Sequence, residues 1–200
     1  LSTQNKLINK YDLITLIHVF EHLLDPLNDL KKLSKKLNKN GKIFIQIPNF
    51  CENPYDLIVY DHTAHYTKES ILNIANLAGM NVDKIYTNII DCEFSIILSN
   101  KKINNKKKKY LNNNNSLKLI ISNYNKSLSW LNSQIKKLTL TKSFNILGSS
   151  IAATWVHSYF INKNINFYEE DINKKNKIHL KKKIKIFKMN RSKKLLLFLP

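Results

Sequence analysis

The feature that most constrains this chain is an alternation of strand and helix patterns across its first hundred residues. Tyr11–Ile17 is a short apolar run that predicts a buried strand. Residues 25–26, Asp-Pro, predict a helix start, because Asp caps free amides and proline fits the first turn. Leucines then recur at helical spacing at Leu27, Leu30, Leu33 and Leu37. Residues 40–41, Asn-Gly, predict the end of that helix.

The alternation continues to residue 98. Residues 42–47 predict a strand, and residues 68–78 predict a helix with Thr67 at its cap and Gly79 beyond its end. Residues 82–89 and 93–98 predict two further strands. The order strand, helix, strand, helix, strand, strand predicts half of an α/β sheet covered by helices.

The second hundred residues predict a different organisation. Residues 101–115 are low in complexity and rich in Lys and Asn, which is typical of a solvated linker or of the start of an exposed helix. Residues 116–140 carry apolar side chains at steps of three and four and predict a long amphipathic helix, which either packs on its own domain or forms a dimer seam. Strands at 143–147, 165–168 and 194–199 and a helix within 148–161 predict a smaller α/β domain. We therefore divide the chain into 1–100, 101–142 and 143–200.

The net charge of +19 lies entirely in the second half of the 200 residues. Residues 1–100 have a net charge of −1, and residues 101–200 have a net charge of +20. Because 32 of the 33 basic residues are Lys, the excess lacks the Arg side chains that favour phosphate and base recognition. An A/T-rich genome explains the abundance of Lys, Asn and Ile, so we do not expect nucleic acid as a partner.

The composition also bears on the compartment. The 43% hydrophobic content excludes a wholly disordered chain, and no apolar run is long enough to cross a membrane. Two cysteines cannot build a disulfide framework, which favours a reducing cytoplasm. The pattern does not predict an oligomeric state.

Several separated motifs follow one another between residues 11 and 50. They are Asp12 in the first strand, the string His-Val-Phe-Glu-His at 18–22, Asp-Pro at 25–26, Gly41, and Ile-Pro-Asn at 47–49. This series resembles the second half of the Rossmann-like sheet of class I S-adenosylmethionine-dependent methyltransferases. The resemblance implies S-adenosylmethionine as cofactor, with Ile17 and His18 near its methionine part. It places Glu21, His22 and Asn49 at the substrate cleft, although Glu21 alternatively only orients the turn.

A second cluster precedes the helix at 68–78. Asp61, His62 and His65 place protonatable groups close together, and imidazole titrates near neutrality. The segment resembles the glutamate–histidine element of sugar C-methyltransferases, which implies His62 as catalytic base, Asp61 in place of the glutamate, and Tyr66 on the substrate side. A structural role for these histidines is the alternative.

A third motif is the small-residue turn after the strand at 143–147. Gly148 and Ser150 occupy the first two positions of a weakened dinucleotide fingerprint, and Asp171 lies among acids about twenty residues later. The region resembles the C-terminal domain of the same C-methyltransferases. The resemblance implies that Gly148, Ser150 and Asp171 contact a sugar-nucleotide substrate. The residues themselves predict no metal site.

The expected function is methyl transfer to a sugar nucleotide or a related small metabolite. The chain begins with Leu1, and the family's glycine-rich turn does not occur in residues 1–100, so we expect a fragment that is inactive alone. Two alternatives remain open. One is a non-catalytic lysine-rich module that binds RNA or acidic surfaces, and the other is a small-molecule O- or N-methyltransferase.

Overall fold

The computed structural model describes residues 10–100, 114–139, 143–187 and 196–197. These residues form two compact units, Leu1–Asp56 with Tyr60–Lys126, and Leu57–Val59 with Ser127–Pro200. The division falls inside a long helix, α3, which spans Asn114–Thr139. The three-part division at residues 100 and 142 stays a prediction, and residues 101–113 of the expected linker lie outside the described residues.

The first unit is a four-stranded mixed sheet with two helices. Its elements are β1 (Tyr11–Ile17), α1 (Pro26–Ser34), β2 (Leu37–Pro48), α2 (Lys68–Leu77), β3 (Asn81–Tyr86) and β4 (Glu93–Ser99). The strand order is β1-β2-β4-β3. Strands β1 and β2 are parallel, and β4 runs antiparallel to both of its neighbours. The predicted order of strands and helices and the predicted α/β class are confirmed.

The predicted end of the first helix is wrong. Asp25 caps α1 as expected, because its carboxylate accepts a hydrogen bond from the amide of Asn28 at 3.1 Å. The helix ends at Ser34, however, and Leu37 and Gly41 belong to β2. A Cβ on Gly41 would lie 2.7 Å from the backbone oxygen of Tyr11. Glycine is needed here for the close approach of two strands.

Strand β1 is not buried as predicted. Leu13 is 57% exposed and Ile17 is 52% exposed. Among the described residues, β1 pairs with β2 alone and forms an edge of the sheet. An edge strand is covered less well than a central one, so an apolar run alone did not distinguish the two positions.

The core of the first unit lies where both helices pack on the sheet. Its fully buried side chains include Leu30, Ile43, Ile45, Ile47, Ile96 and Leu98. Helix α2 begins with a capping box between Thr67 and Ser70, and Gly79 follows it with φ of 75°, both as predicted. Because β1 and β2 are parallel, their carboxyl ends lie side by side at the same end of the sheet.

The second unit is a smaller α/β unit. Its elements are β5 (Ser143–Leu147), α4 (Ile151–Tyr159), β6 (Asn164–Glu169), β7 (Ile178–His179), β8 (Lys182–Lys183), β9 (Lys185–Ile186) and β10 (Leu196–Leu197). The described strands β10, β5, β6 and β9 form a parallel sheet in that order, and β7 pairs with β8. The sequence predicted β5, α4, β6 and β10 and missed β7, β8 and β9, which have two residues each and are too short to show periodicity.

Helix α3 confirms the predicted long amphipathic helix. Its C-terminal residues Ile135 and Leu138 pack in the core of the second unit with Phe167 and Val156. Nearer its start, Leu117, Ile121 and Tyr124 are largely exposed. Over its last turns, α3 therefore packs on its own unit, which is one of the two alternatives that the sequence left open. None of the described helices has the length and apolar character that crossing a bilayer requires.

Candidate functional site

The carboxyl end of β1 carries a histidine between two carboxylates. His18 adopts φ of 50°, and its amide donates to the backbone oxygen of Gln46 at 3.0 Å. Its Nδ1 lies 3.2 Å from Glu21 Oε1, and its Nε2 lies 3.2 Å from Glu93 Oε1. Gln46 donates from Nε2 to the other oxygen of Glu93 at 2.7 Å. The left-handed backbone thus turns the His18 ring into a network that β1, β2 and β4 share.

A turn of 3-10 helix at Phe20–His22 follows His18 and is tied to the loop that carries His62. The backbone oxygen of Glu21 accepts a hydrogen bond from the Thr63 amide at 2.8 Å. The Thr63 hydroxyl donates to the backbone oxygen of Leu23 at 2.7 Å. Two segments about forty residues apart in sequence therefore lie side by side at the edge of the sheet.

His62 is paired with Asp56 and not with the predicted Asp61. His62 Nδ1 lies 2.6 Å from Asp56 Oδ1, and His65 Nδ1 lies 2.6 Å from Asp56 Oδ2. Asp56 is 2% exposed and the His62 side chain is 9% exposed. One buried carboxylate therefore orients two imidazole rings. A ring held through Nδ1 has Nε2 as its remaining nitrogen.

Asp61 instead lies beside His22. His22 Nδ1 donates to the Asp61 backbone oxygen at 3.0 Å, and the Asp61 carboxylate lies 3.4 Å from the same nitrogen. The Asp61 side chain is half exposed. Asp61 therefore orients His22, and its expected catalytic role in place of the family's glutamate stays a prediction.

Glu21, His22 and His62 form a three-residue cluster. One possible ligand atom from each lies within 4.8 Å of the other two. The rings of His22 and His62 meet edge to face with centroids 4.8 Å apart. Glu21 is 1% exposed, and its Oε2 has no hydrogen-bond partner among the described residues. The predicted substrate-side residues Glu21 and His22 and the predicted base His62 are therefore brought together.

Two other predicted substrate contacts use their polar atoms inside the fold. Asn49 is 3% exposed, and its side-chain oxygen accepts from the Cys51 amide at 3.1 Å. Tyr66 is 4% exposed, and its ring lies 5.2 Å from that of Phe20. Burial, with the nearby Glu21 carboxylate, raises the pKa of the Tyr66 phenol far above its ordinary value. Both residues support the edge of the sheet, and their substrate roles stay predictions.

In the second unit, the predicted small-residue turn is filled by a carboxylate. Gly148 adopts φ of 100°, as such a turn requires. Glu169 Oε1 accepts hydrogen bonds from the Ser149 amide at 2.7 Å, from the Ser149 hydroxyl, and from Lys174 Nζ at 2.8 Å. Burial opposes ionisation, but these hydrogen bonds lower the pKa of Glu169. Glu169 remains an anion inside the turn.

The predicted partners of that turn have other surroundings. Ser150 precedes α4 without a side-chain capping bond, and in residues 10–100, 114–139, 143–187 and 196–197 its buried hydroxyl finds no hydrogen-bond partner. Asp171 is exposed and accepts from the Asn173 amide at 2.8 Å. Of the three consecutive acids at 169–171, Glu169 is the last residue of β6, and it is the one whose carboxylate faces the turn.

Sequence reasoning missed Asp56, Gln46 and Glu93. Asp56 lies in a 3-10 helix, Pro54–Ile58, within a stretch that has no periodic pattern. Gln46 and Glu93 occupy strand positions whose sides are set only by the register of β2 and β4. The sequence showed acidic residues near two histidines within residues 56–65, but it did not indicate which of these acids is buried.

The family match lies within the first hundred residues. Residues 3–85 match the model of a family described as a methyltransferase domain. This match supports the predicted resemblance to class I S-adenosylmethionine-dependent methyltransferases and the Rossmann-like fold. No curated protein matches the chain.

Solved structures were also compared. The mitomycin 7-O-methyltransferase MmcR is 13% identical with a TM-score of 0.41, over 46% of this chain and 30% of that chain. An S-adenosylmethionine-dependent methyltransferase from Clostridium acetobutylicum ATCC 824 is 14% identical with a TM-score of 0.38, over 46% and 59%. The O-methyltransferase NcsB1, in complex with S-adenosyl-L-homocysteine and 1,4-dihydroxy-2-naphthoic acid, is 11% identical with a TM-score of 0.39, over 46% and 30%. The chain spans less than two thirds of each.

Proposed function

We propose that the first unit supplies the acceptor side of an S-adenosylmethionine-dependent methyltransferase that acts on a small molecule. The observation that carries the proposal is the convergence of Glu21, His22 and His62 at the carboxyl end of β1. Ligands of open α/β sheets bind at this end of the strands. The methyltransferase-domain match over residues 3–85 supports the same reaction class.

The residues present fit one wall of a cofactor site. Ile17 is 52% exposed at the end of β1, and His18 follows it with a ring fixed by two carboxylates. These two residues would contact the methionine part, and the bound cofactor would supply an electrophilic methyl group on sulfur. Within residues 10–100, Gly41 and Gly79 are the only glycines and neither forms a glycine-rich turn. We therefore assign no other cofactor contacts to this chain.

His62 is the proposed general base in the metal-free protein. Asp56 holds Nδ1 and keeps Nε2 as the proton-accepting nitrogen. His62 Nε2 would take the proton of an acceptor hydroxyl or acidic carbon while the acceptor atom bonds to the methyl group and the methyl–sulfur bond breaks, which would leave a neutral thioether. Asp56 would stabilise the imidazolium that results. This assignment keeps the predicted base and replaces its predicted partner.

A sugar nucleotide is the acceptor that we propose within the small-molecule class, in the cytoplasm expected from the cysteine content. Gly148, with its left-handed backbone, and the neighbouring Lys174 support a phosphate site in the second unit. Because Glu169 holds the Ser149 amide, a phosphate must displace that carboxylate to bind the turn. The proposal therefore requires a rearrangement of Glu169 on substrate binding.

The experiment is a methyl-transfer assay on the natural protein that contains this chain, with isotopically labelled S-adenosylmethionine and a panel of nucleotide sugars and phenols. His62→Gln is expected to lower kcat by about 10²–10⁴-fold, the range for removal of a general base, with little change in KM. His65→Gln is the matched control, because His65 contacts the same carboxylate from outside the cluster. Equal turnover by wild type and His62→Gln would refute the base, and no transfer to any acceptor would refute the reaction class.

A further inference from the structure

We propose that Glu21, His22 and His62 form a binding site for one divalent transition-metal ion, with Zn²⁺ as the expected occupant. The site is argued from the side chains alone and does not depend on methyl transfer. Its ligands would be Glu21 Oε2 and the Nε2 atoms of His22 and His62. Two imidazoles with one carboxylate are a ligand set typical of zinc sites that keep an open fourth position.

The first observation is the orphaned oxygen of Glu21. The Glu21 side chain is 1% exposed, and Oε1 contacts His18, but within the part of the chain that the structure describes Oε2 has no hydrogen-bond partner. A buried carboxylate oxygen without a partner is costly, because it has lost water and gained nothing in exchange. A cation beside Oε2 would remove this cost.

The second observation is the orientation of the two rings. Backbone oxygens only accept hydrogen bonds, so the contact of His22 Nδ1 with the Asp61 oxygen at 3.0 Å places a proton on Nδ1. The Asp56 carboxylate does the same for His62 Nδ1 at 2.6 Å. In both neutral rings Nε2 then carries the free lone pair. Metal-binding histidines usually have this outer hydrogen bond to a carboxylate or a backbone oxygen.

The third observation is the spacing. One ligand atom from each residue lies within 4.8 Å of the other two. The ligand atoms of a tetrahedral zinc site lie about 3.4 Å apart when each bond is about 2.1 Å. The three ligand atoms must therefore move closer together when the ion binds. The His22 side chain is 34% exposed and can rotate to close it.

The neighbouring cluster of Asp56, His62 and His65 does not provide the same opportunity. There, both carboxylate oxygens lie at 2.6 Å from ring nitrogens, which is direct hydrogen-bond distance. Asp56 is thus already satisfied and acts as the outer partner of His62. Because metal binding and proton transfer use the same nitrogen of His62, a single molecule performs one or the other, and zinc withdraws His62 from base catalysis.

The test is calorimetric titration of the chelator-treated 200-residue chain with ZnCl₂. We expect one saturable site per chain, and we expect His22→Gln and Glu21→Gln each to weaken binding at least tenfold. His179→Gln, in the second unit, is the control and is expected to bind as wild type does. Asp56→Asn is expected to weaken binding by about 10–100-fold, as loss of an outer partner does.

A second readout is the visible absorption of Co²⁺ bound in place of Zn²⁺, which reports imidazole coordination independently of heat. Far-UV circular dichroism checks each variant, and His22→Gln decides the test if Glu21→Gln does not fold, because the His22 ring is partly exposed. Wild-type protein without a saturable site, or His22→Gln with unchanged affinity and an unchanged Co²⁺ spectrum, would overturn the proposal. Neither result bears on the methyl-transfer assay.

Discussion

Single residues define the site through what they hold in place. Asp56 fixes two imidazole rings with one carboxylate, while His18 occupies a left-handed backbone conformation that few side chains adopt. Both arrangements restrict rotation of rings near the edge of the sheet. Because these rings are already restricted, they lose less conformational entropy when a ligand or ion binds to them.

At the same scale, two histidines of the second unit are expected to make its stability depend on pH. Burial lowers the pKa of both His157 and His179 below the ordinary value of about 6.5. The unfolded chain therefore binds protons that the folded unit resists. Stability is expected to be highest above this ordinary value and to fall as the pH drops through it.

The measurement is urea unfolding followed by tryptophan fluorescence at about pH 7.5 and about pH 5.5, on either side of the ordinary histidine pKa. Both tryptophans, Trp130 and Trp155, belong to the second unit, so the signal reports on that unit. His179→Gln should reduce the loss of stability at the lower pH, and the exposed Asn173→Gln should not. An unchanged pH dependence in His179→Gln would contradict the prediction.

Sequence patterns predicted the role of a residue better where that role depends on neighbours in the sequence. Asp25 and Thr67 were recognised as caps because a cap bonds amides two or three residues away. The pairing of His62 with Asp56 was missed because it depends on how an irregular loop folds. Glu93 was missed for a related reason, since it reaches His18 only through the register of β4 on β2.

At the scale of secondary-structure elements, the backbones of β1 and β2 approach each other closely at Gly41. The pairing shifts between Tyr11 and Leu13, and Gly41 lies at this irregularity. Apolar and turn patterns predicted which elements exist, but they misplaced the end of α1. An Asn-Gly pair has the same sequence signature at a helix end and at a close contact between strands.

Gly41→Ala is therefore expected to destabilise the first unit by about 1–3 kcal/mol, the usual cost of overpacking. The added Cβ would lie 2.7 Å from the Tyr11 backbone oxygen, and backbone cannot move aside as a flexible side chain does. Circular dichroism during urea unfolding measures the change. Gly79→Ala is the comparison, because its site has open space and only the strain of φ 75°.

Gly79→Ala is expected to cost about 1 kcal/mol, the difference between glycine and other residues in the left-handed region. A Gly41→Ala variant as stable as the wild type would show that the two strands can separate at Tyr11. The close approach would then not be the reason for glycine at that position.

For the whole molecule, two separate buried clusters predict two unfolding transitions. Ile45 is 2% exposed in the first cluster, and Ile165 is 0% exposed in the second. Ile165→Ala is expected to lower the stability seen by tryptophan fluorescence by about 2–5 kcal/mol, as cavity formation does. Ile45→Ala is the matched substitution, and it should leave that fluorescence curve unchanged while it shifts the circular dichroism curve.

One coincident transition, shifted equally by both substitutions, would show that the two units unfold together. The sequence predicted two α/β regions from their separate strand and helix patterns. The structure shows that a contact boundary lies inside α3. A continuous helical pattern contains no signal for such a boundary, because both parts of the helix have the same periodicity.

In the second unit, the Glu169 carboxylate competes with external anions for the turn at residues 148–150. Its carboxylate is attached to the same chain and lies on the Ser149 amide and on Lys174, so its effective concentration at the turn is that of an intramolecular ligand. A phosphate group from solution would have to displace the Glu169 carboxylate before its binding could be detected. The turn therefore favours ligands that also bind elsewhere on the unit. Free anions that bind weakly should not displace Glu169.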